Sequence, residues 1–168
     1  MDPWRGRGRV NFSYVNGYPD ESMFQPKDPN FKDRVRASFA LQTAMRTLGV
    51  EIVKLEPGEV ELSMPYSADF TQQNGYIHAG IITTALDSAC GYAAFSLMPS
   101  NAAVLTVEFK TTLIAPAKGD RFVFHAHVVK PGRTLTFCEG LAFGVTNNEQ
   151  RLIATMSGTL FALFEGTA

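Results

Sequence analysis

Apolar positions recur with a helical period early in the chain, alternate in its second half, and run almost unbroken in between. From Phe31 to Leu48, Phe31, Val35, Phe39, Leu41, Ala44, Met45 and Leu48 recur at helical spacing. This predicts one amphipathic helix, with Asn30 or Asp28 to cap its start and Gly49 to end it. Val50–Glu56 and Val60–Met64, separated by Pro57-Gly58, predict a hairpin of two short strands. After the polar stretch from Tyr66 to Ile77, the run Ala79–Met98 is small and apolar around its whole circumference. As a helix it has to be enclosed rather than lie on a surface. Ala103–Ile114, Arg121–Val129, Thr134–Val145 and Leu152–Phe164 are rich in β-branched and aromatic residues and predict four long strands. Turns are expected at Pro116–Gly119, Pro131-Gly132 and Asn147-Asn148.

Four successive strands imply antiparallel meanders, and a curved antiparallel sheet around the central helix is the economical way to enclose it. The expected class is α+β. In the third long strand, Leu135, Phe137, Leu141 and Phe143 alternate with Thr134, Thr136, Cys138 and Gly140, so one face reads as core and the other as a smaller-residue face. Residues 1–30, rich in Gly, Pro, Asn and charge, read as an irregular arm whose aromatics could dock on the body, and residues 31–168 read as one domain.

Composition narrows the function classes. A chain of 168 residues suits one well-filled core. A net charge of −1 gives no general attraction to nucleic acid or to an anionic membrane, and Arg5-Gly-Arg-Gly-Arg9 is too short for a binding surface. Cys90 and Cys138 lack C-x-x-C spacing and read as buried, reduced thiols. The N-terminal arginines have no apolar stretch behind them, so a soluble, cytoplasmic protein is expected. Asn11-Phe-Ser13 fits a glycosylation sequon, a match of little weight without a secretion signal. His125 and His127 share a strand face but have no third ligand at supporting spacing, so no metal site is expected.

Between His78 and Glu108 the one charged side chain is Asp87. A lone carboxylate in apolar surroundings costs several kcal/mol unless a partner or a function compensates, which marks Asp87 as the first candidate for chemistry. Thr83, Thr84 or Ser88 could instead satisfy it structurally. His78 precedes Asp87 by nine residues, about 900° of helix and about 13 Å along its axis. One helix therefore does not bring the two to one atom, whereas two copies related by a two-fold axis would form two equivalent shared sites.

The segment Gln72-Gln-Asn-Gly-Tyr-Ile-His-Ala-Gly80 followed by Asp87 resembles the phenylacetate-pathway (PaaI-like) hotdog-fold thioesterases. Their pattern is Asn-x-x-Gly-x-x-His-Gly-Gly with an Asp nine positions after the His. Gly75, His78, Gly80 and Asp87 match it, and the likeness extends through Val104–Lys110, Pro116 and Pro131–Thr134. The resemblance implies a hotdog fold and metal-free hydrolysis of an acyl-CoA, with CoA as part of the substrate and no separate cofactor. It implies Asp87 as general base or nucleophile, and the Ala79 and Gly80 backbone N–H groups as oxyanion donors at a helix N-terminus. Gln72, His78 and Thr106 would position the reactants. Gly75, Asn74, Arg133, Thr134, Phe70 and Tyr92 would contact substrate, with Arg133 suited to phosphates. A homodimer or dimer of dimers with sites at the dimer interface is expected. Gln72 stands where the pattern has Asn, so Gln73 or Asn74 could take that role, and Ala79 replaces a Gly. A non-catalytic acyl-CoA sensor and a hydroxyacyl-thioester dehydratase are the competing functions on the same scaffold.

Overall fold

A computed structural model describes residues 24–164. The arm before Phe24, with its arginines and the Asn11 sequon, and the last four residues lie outside the described residues. Six antiparallel strands form one sheet in the order β1-β2-β4-β5-β6-β3. They are β1 (Glu51–Glu56), β2 (Glu59–Pro65), β3 (Ala102–Leu113), β4 (Arg121–Lys130), β5 (Leu135–Thr146) and β6 (Glu149–Phe164). The sheet curves around the helix α3 (Ala79–Leu97), giving the expected hotdog architecture. Asn147 and Asn148 both take positive φ in the tight β5–β6 turn, a conformation that asparagine tolerates well.

Three expectations are corrected. First, the N-terminal helix is two helices, α1 (Phe31–Leu41) and α2 (Thr43–Leu48). Gln42 is extended between them, and its Oε1 accepts a hydrogen bond from Ser88 Oγ at 3.2 Å. The buried stripe arrives at a polar residue, which finds its partner on α3. Leu41 is left 82% exposed while Met45 and Leu48 turn inward.

Second, the four long strands do not form a continuous meander. β4, β5 and β6 do, but β3 pairs with β6 and becomes the sheet edge. The chain crosses from β3 to β4 through residues 114–120, bonding Ile153 O, Val145 O and, from Ala117 O, the N–H of Ile77. This crossing anchors the loop that leads into α3.

Third, the faces of β5 are reversed. Thr136, Cys138, Gly140 and Ala142 face the helix, whereas Leu135 and Phe137 are 41% and 45% exposed on the outer face and Leu141 is half-buried; only Phe143, after the register shift beyond Ala142, is buried as expected. The reason is distance. α3 approaches through Leu86 and Cys90, and a Cβ at position 140 would lie 3.0 Å from both Cys90 Sγ and Leu86 Cδ1. Close approach selects the small residues, and the large ones are displaced outward.

α1 locks the other side of α3. Arg34 pairs with Asp28 at 2.7 Å, donates through Nη2 to Phe95 O at 3.1 Å and Met98 O at 2.7 Å, and stacks over the Phe95 ring. It thereby supplies a donor to Met98 O and a second one to Phe95 O, which also accepts from Met98 N at 3.1 Å. On the outer face His125 bonds Glu59 at 2.6 Å, and Lys54 bonds the same carboxylate at 2.8 Å. Burial alone would raise the Glu59 carboxyl, but the hydrogen bonds and charges of His125 and Lys54 prevail and hold it at about 2.

Gly140→Val is expected to destabilise the fold by about 1–3 kcal/mol through overpacking, read by denaturant titration. For Glu59 the folded value lies below the unfolded one, so its contribution is complete above the ordinary 4.5 and is lost as pH falls through about 2. Glu59→Gln should therefore flatten the acid side of the stability profile, measured as melting temperature against pH.

Candidate active site

The site residues belong to two groups on α3. The first is the loop and cap at the helix start. Residues 72–76 form a tight turn, with Gln72 N donating to Tyr76 O at 2.8 Å and Gly75 N to Gln72 O at 2.9 Å. Gly75 sits at φ +78°, where a side chain is strained. Gln72 Oε1 accepts from the N–H of Asn74, so the amide that replaces the usual Asn is engaged with its own loop. Phe70, on a short 3-10 turn over Ala68–Phe70, holds the N–H of His78 through its carbonyl at 2.9 Å.

His78 is the N-cap of α3, and its Nδ1 accepts from Gly80 N at 2.9 Å. Nδ1 as acceptor leaves Nε2 as the ring's donor. Of the two expected oxyanion donors, Gly80 N–H is thus committed to the cap. The Ala79 N–H makes no bond among the described residues and points from the positive end of the helix.

The second group lies midway along α3. Thr106 Oγ1 donates to Asp87 Oδ1 at 2.8 Å, an alternative to the expected local partners Thr83, Thr84 and Ser88. Thr84 bonds back to Gly80 O, and Ser88 bonds Gln42. Thr106 shares the helix-facing side of β3 with Ala102 and Val104, and a β-bulge just after it ends that alternation. The β3–β6 register shifts between Thr106 and Glu108, so that Thr106 lies opposite Leu160 and Glu108 opposite Thr159. In a regular strand residues two apart share a face, whereas here Thr106 turns to the helix and Glu108 accepts from Thr159 Oγ1 on the outer face. Sequence reading missed the bulge, and nothing in the local residue pattern signals it.

Burial pushes the Asp87 carboxyl above the ordinary aspartate value, and the Thr106 hydrogen bond only partly offsets this. Asp87 is half-buried, so water or a substrate can reach it. It is a carboxylate of raised basicity, fixed by one hydroxyl, on an accessible strip of an otherwise enclosed helix.

The remaining candidates are spread out. Tyr92 is 3% exposed beneath α1, with its OH 3.4 Å from Ser38 Oγ and its ring edge-on to Phe39. Arg133 lies on the β4–β5 turn between two clefts of about 230 and 390 Å³. The first is lined also by Lys27, Met98 and Pro99, the second by Thr134, Phe161 and Phe164. Both lie toward the C-terminal end of α3, which is about 15 Å along the axis from Asp87. Cys90 and Cys138 are free, buried thiols, and burial first, then the charges of Asp87 and Glu139, push Cys90 up to about 12. The described residues contain no group of three His, Cys, Asp or Glu side chains placed to hold a metal, and no helix long and apolar enough to cross a membrane.

Residues 74–149, which span the cap, Asp87 and Thr106, match the family model of the thioesterase superfamily. A solved thioesterase family protein from Silicibacter pomeroyi is 58% identical, covers 80% of this chain and 98% of its own, and superposes with a TM-score of 0.79. The chain belongs to the thioesterase superfamily. The PaaI protein of the Escherichia coli phenylacetic acid degradation operon, 18% identical over 82% of this chain and 96% of its own, shares the fold with a TM-score of 0.73. Human acyl-coenzyme A thioesterase 13 is 29% identical over 64% of this chain and 78% of its own length. Two archaeal relatives, from Saccharolobus solfataricus and Halobacterium salinarum, are 32% and 34% identical, and the chain spans 65% and 64% of their lengths.

In this thioesterase-superfamily protein the raised Asp87 value has a definite sign for stability. The folded chain keeps a proton over a pH range where the unfolded chain has lost it, so stability falls as pH rises through that range. Asp87→Asn should melt at or up to about 4 °C above the wild type at neutral pH. The advantage should vanish in acid, where both side chains are neutral, as checked by calorimetry at the two pH values.

Proposed function

We propose that the protein hydrolyses an acyl-CoA thioester to the free acid and CoA. The observation that carries this reading is Asp87, a carboxylate of raised basicity held by Thr106 on the accessible strip of α3. A general base needs this combination of reach and proton affinity, and a nucleophile needs the same freedom from a cationic partner. The thioester carbonyl develops negative charge on attack, and the free Ala79 N–H at the positive end of α3 is the donor suited to it. His78, through Nε2, and Gln72 stand beside that end as positioning groups.

Asp87 and Ala79 lie about 12 Å apart along one axis, so a working site takes one from each of two copies. The edge strand β3 supports this. Leu105, Val107, Phe109 and Leu113 are each 45% or more exposed along it, a long apolar edge of the kind that natural monomers avoid. Pairing β3 with β3 of a second copy would cover that edge and join the sheets. Leu135 and Phe137 on the outer face supply a second apolar surface for a dimer of dimers. Arg133 and Thr134, at the two clefts, are assigned to the CoA phosphates.

The dehydratase reading has less support. A His that abstracts a proton needs a free ring nitrogen acceptor, and the Nδ1 of His78 is spent on Gly80. A non-catalytic sensor would have no use for a basic carboxylate at the site.

The test is thiol release from a panel of acyl-CoAs by the wild type and Asp87→Ala. Turnover should fall at least about 100-fold in the variant. Its acid limb in the wild type should lie above the ordinary aspartate range, and Thr106→Val should move that limb further up by removing the bond that lowers it. A folded Asp87→Ala protein with undiminished turnover would refute the assignment.

A further inference from the structure

Gly91 is a glycine that no contact within the single chain explains. It sits inside α3, where glycine is less stable than alanine. Other described glycines have a local cause: a Cβ at position 140 would meet Leu86 and Cys90 at 3.0 Å, one at position 144 would meet Lys118 O at 2.2 Å, and Gly75, also in open space, takes a positive φ. A Cβ at Gly91 would meet nothing within 4 Å. The residue lies one turn beyond Asp87 on the same strip of the helix, which runs Gly80, Thr84, Asp87, Gly91 and is left uncovered by the sheet.

An aliphatic side chain of β3 flanks this open space. Thr106 faces Asp87, and β3 runs back from there toward the end of α3, so Val104 lies about 6.6 Å further along and level with Gly91, about 6 Å from Asp87 along the helix. Val104 is partly buried against the core. On the other flank, Gln42 is pinned to Ser88 at the break after α1, next to the exposed Leu41.

We propose that the space over Gly91 receives the acyl group of the substrate, and that the missing side chain there sets the acyl size accepted. The inference rests on the thioesterase reading of Asp87 and deepens it. The Cα of Gly91 forms the floor, Val104 one wall, and a side chain at 91 would occupy the volume that atoms beyond the first few carbons of the acyl chain need.

The test compares wild type, Gly91→Ala and Gly91→Leu on acetyl-, octanoyl- and benzoyl-CoA, with circular dichroism, melting temperature and size-exclusion chromatography on each. Wild type should hydrolyse octanoyl- or benzoyl-CoA. Gly91→Leu should lower the kcat/KM ratio of that larger ester to acetyl-CoA at least tenfold, and Gly91→Ala should fall between. Both variants should keep the assembly size and melt a few degrees higher, because a helical glycine has been replaced in open space. A ratio that stays constant, whether or not overall activity drops, overturns the proposal, and so does a change in assembly size, which would assign the space to a subunit contact. Failure of the wild type on every ester would refute the thioesterase reading itself, and with it the role of Gly91.

Discussion

The close approach of α3 to the sheet is the constraint on which the rest of the structure depends. Leu86 and Cys90 of the helix press on Gly140, and Ala85, Ala89, Ala93 and Ala94 on the helix and Ala142 and Ala154 on the strands are each 1% exposed or less. Such an interface forms only if both surfaces are low, because interiors pack at crystal-like density and a single added methyl has nowhere to go. Two consequences follow. The bulky residues of β5 are carried on the outer face, where Leu135 and Phe137 remain available for association. The helix, drawn close on one side, leaves the strip containing Asp87 and Gly91 uncovered.

The electrostatics of α3 follow from how its length is finished. At its far end the Arg34 guanidinium bonds Phe95 O and Met98 O, placing a cation at the negative end inside the fold. Its first N–H groups are met only in part: His78 takes Gly80, and Ala79 is left open. An anion-stabilising terminus and a carboxylate of raised basicity thus share one rigid element. Being on one element also holds them too far apart to act on the same atom, which is why the proposed chemistry and the exposed edge of β3 belong to one argument. The raised proton affinity of Asp87 is a stability cost kept at a position that packing alone would fill with an apolar side chain.

Much of this was legible in the order of residues. The strand limits, to within one residue except that β6 begins at Glu149 rather than Leu152, the Asn147-Asn148 turn and the Gly49 helix end follow from local preferences that tertiary contacts did not override. Asp87 stood out because an isolated charge in an apolar run is expensive wherever it is placed. The helix break at Gln42 was not legible, since its cause is a hydroxyl on Ser88, 46 residues away. Nor was the bulge that separates Thr106 from Glu108, which depends on register against β6. The commitment of Gly80 N–H to His78 rather than to an oxyanion is likewise a matter of one side-chain rotamer.

The sequence by itself determined most of the elements, the enclosed helix and the isolation of the Asp87 charge within it, because period, turn chemistry and the desolvation of charge act locally and within a few residues. Tertiary structure alone decided which face of β5 is inside, which strand is the edge, which hydroxyl holds Asp87 and which N–H is left open. Each of those depends on distances between segments far apart in the chain, and alternation along a strand is symmetric. It says that two faces differ, and only the approach of α3 says that the small one is the core.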